Sequence, residues 1–108
     1  MKPYEHHRNV TITKHALKRL HERVKTHDGF ESWDALVKRA RYTGRAEASL
    51  TDDEYEWCLD TFKWIPRSAQ IREYNGFAYL FEGGGGHARK LITVIPMFDR
   101  GNTDSFTE

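Results

Sequence analysis

The sequence predicts an α+β domain: helices in the first half, then an antiparallel sheet on which they pack. Three observations carry that reading. Apolar residues recur at helical spacing between Ala16 and Ala40, and the apolar period changes to two after Arg67. Asn75-Gly76 then stands between two alternating runs, and this dipeptide suits the positive-φ pair of a two-residue hairpin turn. Helices followed by strands, rather than alternating with them, give segregated layers.

The first helix begins at Thr13, whose hydroxyl can accept from free N–H groups of the first turn. Ala16, Leu17, Leu20 and Val24 form its apolar stripe, and Gly29 ends the segment. Ser32 caps a second helix that buries Trp33, Leu36, Val37 and Ala40, with Gly44 just past its end. Thr51 and Glu54 form a capping box ahead of a short third helix through Tyr55, Leu59 and Phe62.

The turn at Asn75-Gly76 fixes the hairpin register: Tyr74 faces Phe77, Arg72 faces Tyr79 and Gln70 faces Phe81. One hairpin face therefore holds Arg72, Tyr74, Phe77, Tyr79 and Phe81, and the other holds Ile71, Ala78 and Leu80. "KLITVIP" is a third strand, apolar on both faces except at Thr93, as expected of a covered strand. The core should join Leu17, Leu20, Trp33, Leu36 and Val37 to Ile92 and Val94. Residues 1–11 read as a loose segment, 12–98 as a single α+β domain and 99–108 as a polar tail.

A net charge of +1 excludes a uniformly basic, histone-like protein, so nucleic-acid binding would need a local patch. Cys58 is the only cysteine, which rules out an internal disulfide and fits a reducing compartment. No apolar run reaches transmembrane length and no signal-peptide core opens the chain. The chain reads as soluble and cytoplasmic, with no membrane partner.

"ITKHALKRLHERVKTH" is the stretch richest in chemistry. His15, Arg19, Arg23 and His27 follow one another at i+4 steps, in a row beside the apolar stripe. Such a row is either solvated surface, with arginine stems covering the core margin, or the wall of a cleft for an anion. A zinc-protease helix is excluded, because "HERVK" has Lys25 where the second histidine belongs. No metal site or cofactor is assigned. The "GGGG" run lacks the Gly-Lys-Ser/Thr ending of a P-loop and stands between strands. It reads as a flexible loop able to bring His87, Arg89 and Lys90 to a ligand. On the aromatic hairpin face Phe77 and Phe81 read as core, whereas Arg72 and Tyr79 fit either burial or a stacking surface.

The order of these motifs resembles a set of small phage and bacterial proteins. "ITKHALKRLHERV", a second helix ending at "YTGR", then "IREYNGFAYLF" and "KLITVIP" look like the barnase–EndoU–colicin–RelE superfamily of toxin-type, metal-independent ribonucleases. The resemblance spans Ile12 to Pro96, apart from an unmatched stretch, Ala46 to Trp64. It implies N-terminal helices on a twisted antiparallel sheet, with an active site on the open sheet face. It also implies RNA as substrate or ligand and an antitoxin or host protein as partner. His15, Arg19 and Arg23 match the basic helix positions, Arg72 and Tyr74 the hairpin positions, and Thr93 the polar residue of the last strand. In that reading His15, Arg19, Arg23 and Thr93 are catalytic, and Arg72, Tyr74, Tyr79 and His87 bind substrate. The competing reading is a non-catalytic phage-type inhibitor or adaptor, with the acidic "EASLTDDEYEWCLD" as contact for a basic partner.

Overall fold

The computed structural model describes residues 10–27, 29–62, 65, 69–83 and 90–97. The elements run β1 (Thr11–Ile12), α1 (Lys14–Arg19), a π-helical stretch (Leu20–Val24), α2 (Trp33–Thr43), β2 (Arg45–Ala46), a 3₁₀ turn (Glu47–Ser49), α3 (Asp52–Phe62), β3 (Gln70–Tyr74), β4 (Phe77–Glu82) and β5 (Lys90–Pro96). The class is α+β. The five strands form one sheet in the order β1-β5-β4-β3-β2, with β1 parallel to β5 and the other pairs antiparallel.

Local chemistry explains the boundaries. Thr13 Oγ1 accepts from Ala16 N at 3.1 Å and donates to Leu91 O at 3.0 Å, so one hydroxyl caps α1 and ties it to the sheet. Ser32 Oγ accepts from Ala35 N in the same way for α2. Thr51 and Glu54 make the reciprocal capping box, Thr51 N to Glu54 Oε1 at 2.9 Å and Glu54 N to Thr51 Oγ1 at 3.1 Å. Asn75 and Gly76 have φ of 51° and 86°, and the hairpin has the expected register.

Gly44 follows α2, but not through a left-handed cap. Its backbone is extended, and a Cβ there would lie 2.6 Å from Ala40 O and 2.8 Å from Glu73 O. The glycine lets α2 close onto β3. Gly44→Ala should therefore destabilise the fold by about 1–3 kcal/mol, read from the midpoint of a urea melt.

The sheet has a core on each face. On one, Ala16, Leu20, Val37 and Ala40 pack on Tyr79, Phe81, Leu91 and Val94. On the other, Cys58 of α3 packs on Ile71, Ala78, Leu80, Ile95 and Met97, with Leu50, Trp57 and Phe62 alongside. The 46–64 stretch thus supplies a helix that covers the second sheet face. The expected open face is not found over these residues, because α3 covers Ile71, Ala78, Leu80 and Ile95 there.

Several expected placements change. Val10 is buried and Thr11–Ile12 pair with Lys90–Leu91, so chain expected to be loose already belongs to the fold there. Residues 1–9 and 98–108, and with them the rest of the expected loose segment and polar tail, lie outside the described residues. Leu17 is 39 % exposed, because the stripe of Ala16 and Leu20 turns it away from the sheet. Ile92 is only partly buried. Leu80 faces Thr93 while Phe81 faces Leu91, which leaves Ile92 as the extra residue of a bulge. That bulge resets the alternation, so that Leu91 and Val94 share one face. Trp33 packs at the edge of this core.

Arg45 links three elements. Its guanidinium bonds Glu73 on β3 at 2.7 Å and Glu54 on α3 at 2.6 Å. The Arg45 hydrogen bond holds the Glu54 carboxyl below its ordinary pKa of 4.5. A depressed carboxylate contributes stability above its unfolded pKa and loses it as pH falls through the folded value. Glu54→Gln should therefore cost up to about 1 kcal/mol at neutral pH, because Arg45 is exposed and the ion pair is solvent-screened. The difference between variant and parent should close as melts are taken below about pH 4.

Candidate functional site

β1 covers only the first two residues of β5, and beyond Leu91 the outer edge of β5 is lined instead by α1 and the π-helical stretch. An uncovered edge presents unpaired backbone groups, and here helix side chains satisfy some of them. Arg23 Nη1 donates to Val94 O at 2.7 Å. One residue earlier on the strand, Thr93 Oγ1 lies 3.5 Å from His15 Nε2. That distance is at the outer limit of a hydrogen bond, so the contact orients the imidazole loosely. His15 is otherwise solvent-exposed.

His15, Thr93 and Arg23 thus meet along one strand edge, with Arg19 on the helical turn between the two α1-side residues. Arg19 Nη1 bonds Glu22 Oε1 at 2.6 Å, a pair between a half-buried arginine and an exposed carboxylate that an anionic ligand could replace. That bond is also the main reason the Glu22 carboxyl lies below its usual value. Burial lowers the Arg23 pKa, yet an arginine stays charged throughout the accessible pH range.

The even i+4 row does not extend to His27. Lys25 N bonds Leu20 O at 2.8 Å, an i to i+5 bond that widens the last turn, and Lys25 then takes φ 74° and ends the helix. His27 lies beyond, with Nδ1 2.6 Å from Phe30 O and its ring edge-on to Trp33. It serves the connection to α2.

The hairpin residues are not brought to this edge. Arg72, Tyr79 and Val94 form one cross-strand row on the α1/α2 face, whereas Ile71, Leu80 and Thr93 form the next row on the α3 face. Arg72 stands two strands from Thr93, roughly 10 Å at ordinary strand spacing, and its side chain leaves from the opposite face. Arg72 Nη1 donates to Gly44 O at 3.3 Å, a cation at the carbonyl end of α2. That contact ties Arg72 to the end of α2. Tyr74 is half-buried and edge-on to Phe30 at 6.3 Å.

Tyr79 is 1 % exposed and its ring stacks on Phe81 at 6.3 Å. A base cannot reach it, and burial pushes its phenol pKa above the usual range, so it stays neutral. The expected stacking role for Tyr79 is thus corrected: the strand alternation places it under α1 and α2. His87 lies outside the described residues. Cys58 is fully buried and its thiol pKa is pushed up to about 11 by burial, which makes it a packing group rather than a nucleophile.

Thr13 also stands at this edge, with Oγ1 3.0 Å from Leu91 O. Thr13 was legible as a cap, but its bond to Leu91 O spans 78 positions and has no local signal. No protein-family model matches the chain, and no curated protein or solved structure shows a significant match to it. No helix among the described residues is long and apolar enough to cross a membrane.

Proposed function

We propose that the protein engages RNA along α1 and the open edge of β5, as a toxin-like, metal-independent endoribonuclease of the barnase–EndoU–colicin–RelE kind. One observation carries the reading. An exposed histidine, a threonine hydroxyl and the Arg23 guanidinium share one stretch of strand edge, Arg19 stands on the helical turn between His15 and Arg23, and His15 is solvent-exposed and so open to a ligand. The chemistry is transesterification. His15 takes the proton of a 2′-hydroxyl, and the freed oxygen attacks the adjacent phosphorus. The 5′-oxygen of the next nucleotide leaves with a proton from solvent, and a 2′,3′-cyclic phosphate remains. Arg19 and Arg23 offset the charge that builds on the phosphorane oxygens. Thr93 positions His15.

The phosphate contacts are tested by binding. Arg19→Ala and Arg23→Ala should each weaken affinity for labelled RNA and reduce the slope of log K against log salt by about 1. Arg19→Ala is the cleaner variant, because Arg23 also supports Val94 O. Unchanged affinity and slope in both variants would return the arginines to ordinary helix surface.

A second reading, a non-catalytic inhibitor or adaptor for a host protein or nucleic-acid-processing complex, has the exposed acidic surface of α3 in its favour. In that case the arginine changes leave its binding intact, and Asp52→Lys with Asp53→Lys removes it.

A further inference from the structure

The net charge of +1 conceals a segregation of charge. From Lys14 to Lys25 the chain carries five basic side chains, Lys14, Lys18, Arg19, Arg23 and Lys25, against the single acid Glu22. α3 carries Asp52, Asp53, Glu54, Glu56 and Asp60 and no basic residue. Apolar exposure follows the same division. Among the described residues the exposed large hydrophobics are Leu17 at 39 %, Tyr55 at 38 % and Leu59 at 44 %. Leu17 lies one turn from Lys14 and from His21, and next to Lys18. Tyr55 and Leu59 are one turn apart on α3, and Asp52, Glu56 and Asp60 flank them. Each helix thus presents an apolar centre in a charged border, and the two borders are of opposite sign.

These stripes cannot meet within one chain. α1 packs against the Leu20 core and α3 against the Cys58 core, and the sheet lies between them. We propose that the Leu17 stripe of one copy docks on the Tyr55–Leu59 stripe of a second copy. The chain itself supplies the complementary surface, and its near-zero net charge leaves no long-range repulsion between copies. Because the two surfaces differ, the contact is head-to-tail. Every added copy leaves one stripe free at each end, so assembly passes beyond a dimer unless the rotation closes a ring. An interface this small and charged is weak and salt-sensitive. The proposal does not rest on RNA binding, and its test contains no RNA.

The test is sedimentation of the full chain from about 10 µM to about 1 mM, at low salt and at about 0.5 M salt. Wild type should show a mass average that rises with concentration at low salt and falls back towards the monomer at high salt. Lys14→Glu with Lys18→Glu should weaken association at least about tenfold, and so should Glu56→Lys with Asp60→Lys. The chain with all four changes has the wild-type net charge and a reversed but complementary pair of stripes, so it should associate again. Circular dichroism melts establish that each variant is folded, and Leu59→Asp gives an independent disruption without reversing a stripe. Monomeric wild type at every concentration overturns the proposal. So does association that survives either half-reversal, or a fourfold variant that stays monomeric. Wild type that remains monomeric yet binds polylysine through α3 overturns it too, and assigns that face to a different basic partner.

Discussion

Leu20→Ala should cost about 2–5 kcal/mol, a large share of the stability of a domain this size. Leu20 is fully buried, and it stands where α1 passes into the π-helical stretch. It belongs to the core cluster that joins Ala16 from the same helix, Val37 and Ala40 from α2, and Tyr79, Phe81 and Val94 from the sheet. Two helices and the sheet contribute to that cluster, so collapse around a methyl group there requires a helix to move. The cavity term therefore adds to the lost transfer energy. Leu17→Ala is the control. Leu17 is the neighbouring apolar residue of the same helix but is 39 % exposed, so its loss should cost below about 1 kcal/mol. Chemical denaturation of both variants checks the pair. A Leu20 loss below about 1 kcal/mol would mean that α1 docks through a different face.

Signals that act over a few residues were legible in the sequence. Thr13, Ser32 and the Thr51–Glu54 box cap helices through bonds spanning three residues, and Asn75-Gly76 fixes a register by its own backbone preference. What depends on partners far along the chain was not. β1 and β2 are two residues each and exist through pairing with β5 and β3. Alternation showed correctly that Arg72, Tyr79 and Phe81 share a face. It could not show that α2 covers that face, and so Tyr79 is a core residue. Likewise α3 was legible as a capped helix, whereas its docking on the second sheet face depends on Cys58, Trp57 and Phe62 meeting β3, β4 and β5. Of the candidate site, the basic row on α1 was readable as periodicity, and its meeting with Thr93 has no local signal. The π-helical turn that carries His27 away from the row breaks the helical period itself.

His15→Ala carries the largest expected functional effect. A positioned general base contributes about 10²–10⁴ in rate, so the variant should retain at most about one per cent of the cleavage rate. The change should leave stability unmoved, because His15 is exposed and its contact with Thr93 is long. Loss of rate with an unchanged melt separates a catalytic role from a structural one. Thr93→Val should lower the rate less, since in the proposed mechanism Thr93 orients the imidazole without taking the proton. Cleavage that survives in His15→Ala would keep the ribonuclease reading and remove His15 from it.

The decisive measurement is incubation of purified wild type with labelled single-stranded and structured RNAs in buffer containing EDTA, over hours and at high protein concentration. The proposed chemistry should give fragments ending in a 2′,3′-cyclic phosphate, formed as readily with the chelator as without it, and lost in His15→Ala. Intact RNA across that panel, together with no salt-dependent RNA binding, would contradict it.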